Sequence, residues 1–113
     1  MSRIVQRVCL FAILCAVGLM SSACAPSASE QRGQELFDLH CASCHEDAPG
    51  DLKKRPPRLE GLFRGKNLPS GAPATNDQLR KTIIEGLGTM PAFDRRLSEA
   101  DLDDLVKYLH TVK

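Results

Sequence analysis

Apolar positions recur with a helical period in three stretches of this chain. The first follows Ser27-Ala28-Ser29-Glu30, a capping box in which the serine and the glutamate three positions on satisfy each other's free backbone N–H groups. It predicts a helix from Ala28 to His40, with Gly33, Leu36, Phe37 and His40 along the inner stripe. A second box, Thr75-Asn76-Asp77-Gln78, predicts a shorter helix carrying Leu79, Ile83 and Ile84 and stopped by Gly86 and Gly88. Ser98-Glu99-Ala100-Asp101 opens the third, with an acidic first turn that suits the helix dipole. Leu102, Leu105, Val106 and Leu109 then fall at i, i+3, i+4 and i+7.

Between residues 46 and 74, proline and glycine are so dense that a long loop is expected, with at most one helical turn near Leu59 to Phe63. A loop of that length is unusual in a compact domain unless it wraps something. There is no repeat, no low-complexity segment and no strand-like alternation. The fold class is all-α: three main helices joined by long loops.

Residues 1–23 follow a different pattern. Arg3 and Arg7 precede an apolar run from Val8 to Met20, and the small residues Ser21-Ser22-Ala23-Cys24-Ala25 follow, the order of a secretory signal peptide. The run is shorter than the roughly 20 residues a membrane-spanning helix needs. Met20-Ser21-Ser22-Ala23-Cys24 resembles a bacterial lipobox, with Ser21 where leucine is usual, so cleavage before Cys24 would leave it as a lipidated first residue. Cleavage after Ala25 would instead release a soluble protein beginning at Pro26. On either route the chain is exported to the periplasm, free or held at the membrane as a lipoprotein. Residues 24–113 form one domain with a short N-terminal linker.

Charge and aromatic content narrow the classes further. Without Arg3 and Arg7, the 15 basic residues fall one below the 14 acidic ones, far from the strongly basic surface that nucleic acid calls for. The chain has four Phe, one Tyr and no Trp, and short chains bury a low fraction of their surface. A large apolar prosthetic group would supply the missing core. Of the five cysteines, Cys9 and Cys15 lie in the signal's apolar run and Cys24 at its cleavage region, leaving Cys41 and Cys44 for the folded domain.

That pair stands in Cys41-Ala42-Ser43-Cys44-His45, a C-x-x-C-H motif. Two thiols three positions apart can each add to a different vinyl group of haem, forming two thioethers, and the adjacent imidazole is then directed at the iron. A thioredoxin-like redox pair would need a surrounding βαβ pattern. A structural zinc site would need a second Cys or His pair, and a plain disulfide leaves His45 without a role. The expected cofactor is one covalently attached haem c, with His45 as the proximal ligand.

For the sixth ligand, Met1 and Met20 lie in the signal, so Met90 is the candidate, presented in the Gly/Pro-flanked loop Gly88-Thr89-Met90-Pro91-Ala92-Phe93. Filling a core gap is the bland role of such a Met. His110, in the last turn of the final helix, and an open site are the alternatives; a histidine there would ordinarily face solvent or satisfy carbonyls. Met/His coordination fills both axial positions and favours ferrous iron, which suits one-electron carriage rather than catalysis. The alternative function is a haem-based sensor or peroxidase-like centre with a labile sixth position.

With these residues in view, the chain resembles the class I c-type cytochromes, of the small bacterial monohaem kind, over nearly all of residues 24–113. Three stretches carry the likeness: Cys41 to His45, Pro57-Arg58-Leu59-Glu60-Gly61-Leu62-Phe63, and Gly88 to Phe93. The resemblance implies the cytochrome c fold, helices and long loops around one haem. It implies that the Pro57 carbonyl accepts the proton of His45, that Leu59 packs on the haem, and that Gly33 and Phe37 meet Tyr108 where the first and last helices cross. Mitochondrial members carry an arginine after a glycine that helps hold a propionate; here the order is Phe63-Arg64-Gly65-Lys66. The partners implied are redox proteins, met by a monomer or within a redox complex. Lys53, Lys54, Arg55, Arg58, Arg64 and Lys66 gather positive charge in the long loop, a candidate face for an acidic partner, while Glu99, Asp101, Asp103 and Asp104 make the last helix acidic.

Overall fold

The computed structural model describes residues 25–48, 50 and 54–113; the predicted signal peptide, Cys24 and Lys53 lie outside the described residues. Four helices form in order: α1 (Ala28–His40), α2 (Ala42–His45), α3 (Asn76–Glu85) and α4 (Glu99–Thr111). Only isolated bridges, Asn67 with Pro73 and Leu87 with Met90, occur outside them among the described residues. The all-α expectation therefore holds, with α2 as an extra single turn at the C-x-x-C-H motif.

The caps explain the boundaries. Ser27 accepts from the Glu30 N–H at 3.2 Å while Glu30 Oε2 accepts from the Ser27 N–H at 2.7 Å, so the box at α1 is complete. Ser98 and Asp101 close the same box at α4. At α3 only half of the expected box forms: Thr75 Oγ1 accepts from Gln78 N–H. The Thr75 N–H is already donated to the Pro73 carbonyl at 2.9 Å, which removes the donor that Gln78 would have answered.

α1 crosses α4 at close range, and α3 also packs on α4. At the crossing a Cβ built on Gly33 would stand 2.1 Å from the Asp104 carbonyl oxygen and 2.7 Å from Tyr108 Cβ, so only hydrogen fits there. Phe37 is buried beside it, its ring centroid 5.5 Å from that of Tyr108. Leu102, Leu105, Val106 and Leu109 are all buried, as their spacing predicts. The loops add Leu62, Leu68, Phe93 and Leu97 to the same core. Polar contacts fasten the crossing from outside: Ser29 Oγ donates to Asp104, Lys107 Nζ donates to Ser29, and Arg32 pairs with Asp101 at 2.7 Å.

The long loop is secured at the far end of α4. Gly61 N–H donates to the Val112 carbonyl, and Phe63 stacks on His110 with centroids 3.8 Å apart and planes 13° from parallel. A shallow groove on this side of the molecule is lined by residues from both ends of the described chain, Ala25 and Pro26 with Thr111 and Lys113.

Candidate haem-binding site

The motif residues sit at a break in the helix. Cys41 (φ −121°, ψ −41°) ends α1, its N–H bonded to the Phe37 carbonyl, and starts α2. The kink places Ala42 to His45 on a separate turn, where the N–H groups of Cys44 and His45 both reach the Cys41 carbonyl. Cys41 is half-buried and Cys44 exposed, and both thiols are free. Burial first, and then the nearby Cys44 thiol, pushes the Cys41 thiol up to about 11.

His45 is half-buried, and its Nδ1 donates to the Pro57 carbonyl at 2.7 Å. That bond fixes the tautomer, leaving Nε2 with an unprotonated lone pair, and strengthens the ring as a donor. Pro57 itself is exposed, and Leu59, two positions on, packs against the core together with Cys41, Ala42 and Phe63. Met90 packs against that same core from the loop after α3 and is half-buried.

The Met90 loop is short and closed. Leu87 N–H donates to the Met90 carbonyl at 3.1 Å and Met90 N–H returns the bond at 3.0 Å, a two-residue turn over Gly88 and Thr89. Phe93 N–H then bonds the Ile83 carbonyl, pinning the loop's exit to the last turn of α3. Phe93 lies edge-on to His40, centroids 6.1 Å apart, so the end of α1 and this loop meet.

His110 is exposed, as its place in the last turn predicts, and it has two further contacts. Nε2 donates to Asn76 Oδ1 at 2.8 Å while the ring stacks on Phe63. Both faces of its chemistry are thus committed to holding the loop, α3 and α4 together. The charges form a solvated, mixed surface in which many are paired. Glu99 and Asp103 pair with Arg80, and Asp101 and Asp104 with Arg32, so the acidic helix is largely neutralised. In the basic loop Arg58 is paired with Glu60 and Arg55 donates to the Ala48 carbonyl, and these two with Lys54, Arg64 and Lys66 are all exposed.

The donors present fit a covalently attached haem: two unpaired thiols at the attachment spacing, an imidazole with one nitrogen held by a carbonyl, and a thioether on a rigid turn. Among the described residues no three His, Cys, Asp or Glu side chains converge as a metal cluster would require. Sequence reading missed one participant. Gly86, read only as a helix stop, bears directly on the Met90 loop, and its signal was a glycine four positions before the candidate ligand.

Comparison with known proteins follows the same line. The family model for cytochrome c oxidase, cbb3-type, subunit III matches residues 28–109. A cytochrome bc1 complex cytochrome c subunit of Corynebacterium diphtheriae is 34% identical over 83 residues, covering 73% of this chain and 27% of that protein. The chain thus spans a minor part of the length of that relative. Cytochrome c6 of Bumilleriopsis filiformis is 28% identical over 79 residues, covering 70% of this chain and 86% of its own. The crystal structure of cytochrome c6 from the diatom Phaeodactylum tricornutum aligns with a TM-score of 0.52 at 23% identity, over 73% of this chain and 91% of that one.

Proposed function

The chain belongs to the class I-like monohaem c-type cytochromes, and from that premise we propose that it is an exported one-electron carrier in which His45 and Met90 ligate the iron. When bound, the haem supplies an iron that cycles between ferric and ferrous states. Cys41 and Cys44 tether it through thioethers on the α1–α2 corner. His45 presents Nε2, held in orientation by the Pro57 carbonyl. Met90 offers a weakly donating sulfur that favours the ferrous state and raises the potential. Leu59 contributes apolar cover on the side of His45.

The observation that carries this reading is the 2.7 Å bond from His45 Nδ1 to Pro57, which prepares the other ring nitrogen as a ligand beside two free thiols. A filled coordination sphere on a rigid turn changes little with oxidation state, which is what transfer between redox proteins requires. Among the described residues no helix is long and apolar enough to cross a membrane. Export and lipidation of Cys24 rest on the order of residues in the first 25 positions. Mass spectrometry of the mature N-terminus separates a lipid-bearing Cys24 from a start at Pro26.

The test of ligation is optical. The purified holoprotein is expected to be six-coordinate and low-spin, with a Met-to-iron charge-transfer band in the ferric state. Met90→Ala should abolish that band and open the iron to carbon monoxide. A wild-type protein that binds carbon monoxide as readily as the variant would instead point to the sensor or peroxidase class.

A further inference from the structure

We infer that Gly86 is a positioning residue for Met90: it is where the end of α3 passes against the backbone of the sixth-ligand loop, and a side chain there displaces the thioether. The inference rests on the Met90 ligation proposed above. Gly86 has φ 76° and ψ 174°, a region open essentially to glycine alone. A Cβ on it would stand 2.6 Å from the Met90 carbonyl oxygen and 2.9 Å from both Ala92 N and Pro91 C. All three are backbone atoms, so no side-chain rotation relieves the contact.

The loop cannot absorb the push at its edges either. The Met90 carbonyl that a Cβ would strike is the acceptor of Leu87 N–H, and Phe93 N–H ties the exit to Ile83. Gly86 N–H is itself bonded to the Thr82 carbonyl. Moving the Met90 carbonyl therefore moves Met90 as a whole. Two other glycines separate this from the general cost of a left-handed backbone. Gly88, in the same turn, has φ +61°, and Gly71 has φ +87°, yet a Cβ on either meets nothing within 4 Å.

The experiment uses holoprotein of wild type and the variants Gly86→Ala, Gly71→Ala and Met90→Ala. Each is read by the Met-to-iron charge-transfer band and by titration with imidazole, which competes for the sixth position. Gly86→Ala is expected to keep its thioether-linked haem and its helical circular dichroism. Its charge-transfer band should weaken or vanish, and imidazole should bind about ten- to a hundredfold more tightly, as the ligated conformer becomes less favoured. Gly71→Ala should stay within about threefold of wild type, since it carries the same left-handed strain outside the Met90 loop.

If Met90→Ala loses the band and Gly86→Ala keeps both the band and the wild-type imidazole affinity, the inference is overturned while the ligation stands. Equal weakening in the Gly71 variant also overturns it, because backbone strain alone would then suffice. If Met90→Ala matches wild type, the ligation reading fails and takes this inference with it. Should Gly86→Ala yield no holoprotein, the same change is made in Met90→Ala. Recovery of folded holoprotein there supports an effect acting through Met90, and continued failure assigns Gly86 to the fold alone.

Discussion

A single missing methyl sets how closely the first and last helices approach. At Gly33 the nearest atoms are the Asp104 carbonyl and Tyr108 Cβ, neither of which can rotate away. Gly33→Ala must therefore part α1 from α4 and loosen the packing of Phe37 on Tyr108. A loss of about 3 kcal/mol or more is expected, measured as a lower denaturant midpoint of the holoprotein. An unchanged midpoint would mean that the crossing has slack. The sequence carried this site through its resemblance to class I cytochromes, which supplied the pairing of Gly33 and Phe37 with Tyr108. The proline acceptor for His45 was legible in the same way. Gly86 was not, because its importance arises from a contact across a turn, and residue order alone cannot tell a helix stop from a point of close approach.

At the scale of elements, α4 is held by its first turn. The Ser98 hydroxyl, its backbone N–H and the Arg32 guanidinium, in that order, hold the Asp101 carboxyl down to about 2. The folded-state value lies below the ordinary 3.8, so the stabilisation is fully present above that ordinary value and is lost as pH falls through about 2. Asp101→Asn is expected to be less stable than wild type at neutral pH, with the two converging on acidification through this window. Parallel acid-unfolding curves would contradict this. Helix extents were readable because capping residues and apolar spacing agree at Ser27 and Ser98. The reciprocal bond expected at Thr75 failed because Pro73, from a loop without periodicity, had claimed its donor. The contacts of His110 were hidden for a similar reason: its partners, Phe63 and Asn76, lie far away in sequence.

For the molecule as a whole, the helices alone make a thin core. Of the buried apolar residues, Leu62, Leu68, Phe93 and Leu97 come from loops whose own backbone has little regular structure to hold it. Ordering such loops costs conformational entropy that a chain of this size recovers poorly from its own side chains. Covalently bound haem c supplies the remainder: it stays attached to the unfolded chain, but its apolar faces are buried only on folding. Replacing both attachment residues, Cys41→Ser with Cys44→Ser, should give a colourless protein that no longer unfolds cooperatively. Circular dichroism during thermal unfolding would show it; a sharp transition without haem would refute it.

The groove bounded by Ala25 and Pro26 on one side and Thr111 and Lys113 on the other brings the two ends of the described chain to one side of the body. Entry and exit of the polypeptide at neighbouring points make this unit easy to string: anything joined before or after it can share one attachment side without threading the loops. A membrane tether, or a second unit of the same kind, would leave the α1–α4 crossing undisturbed.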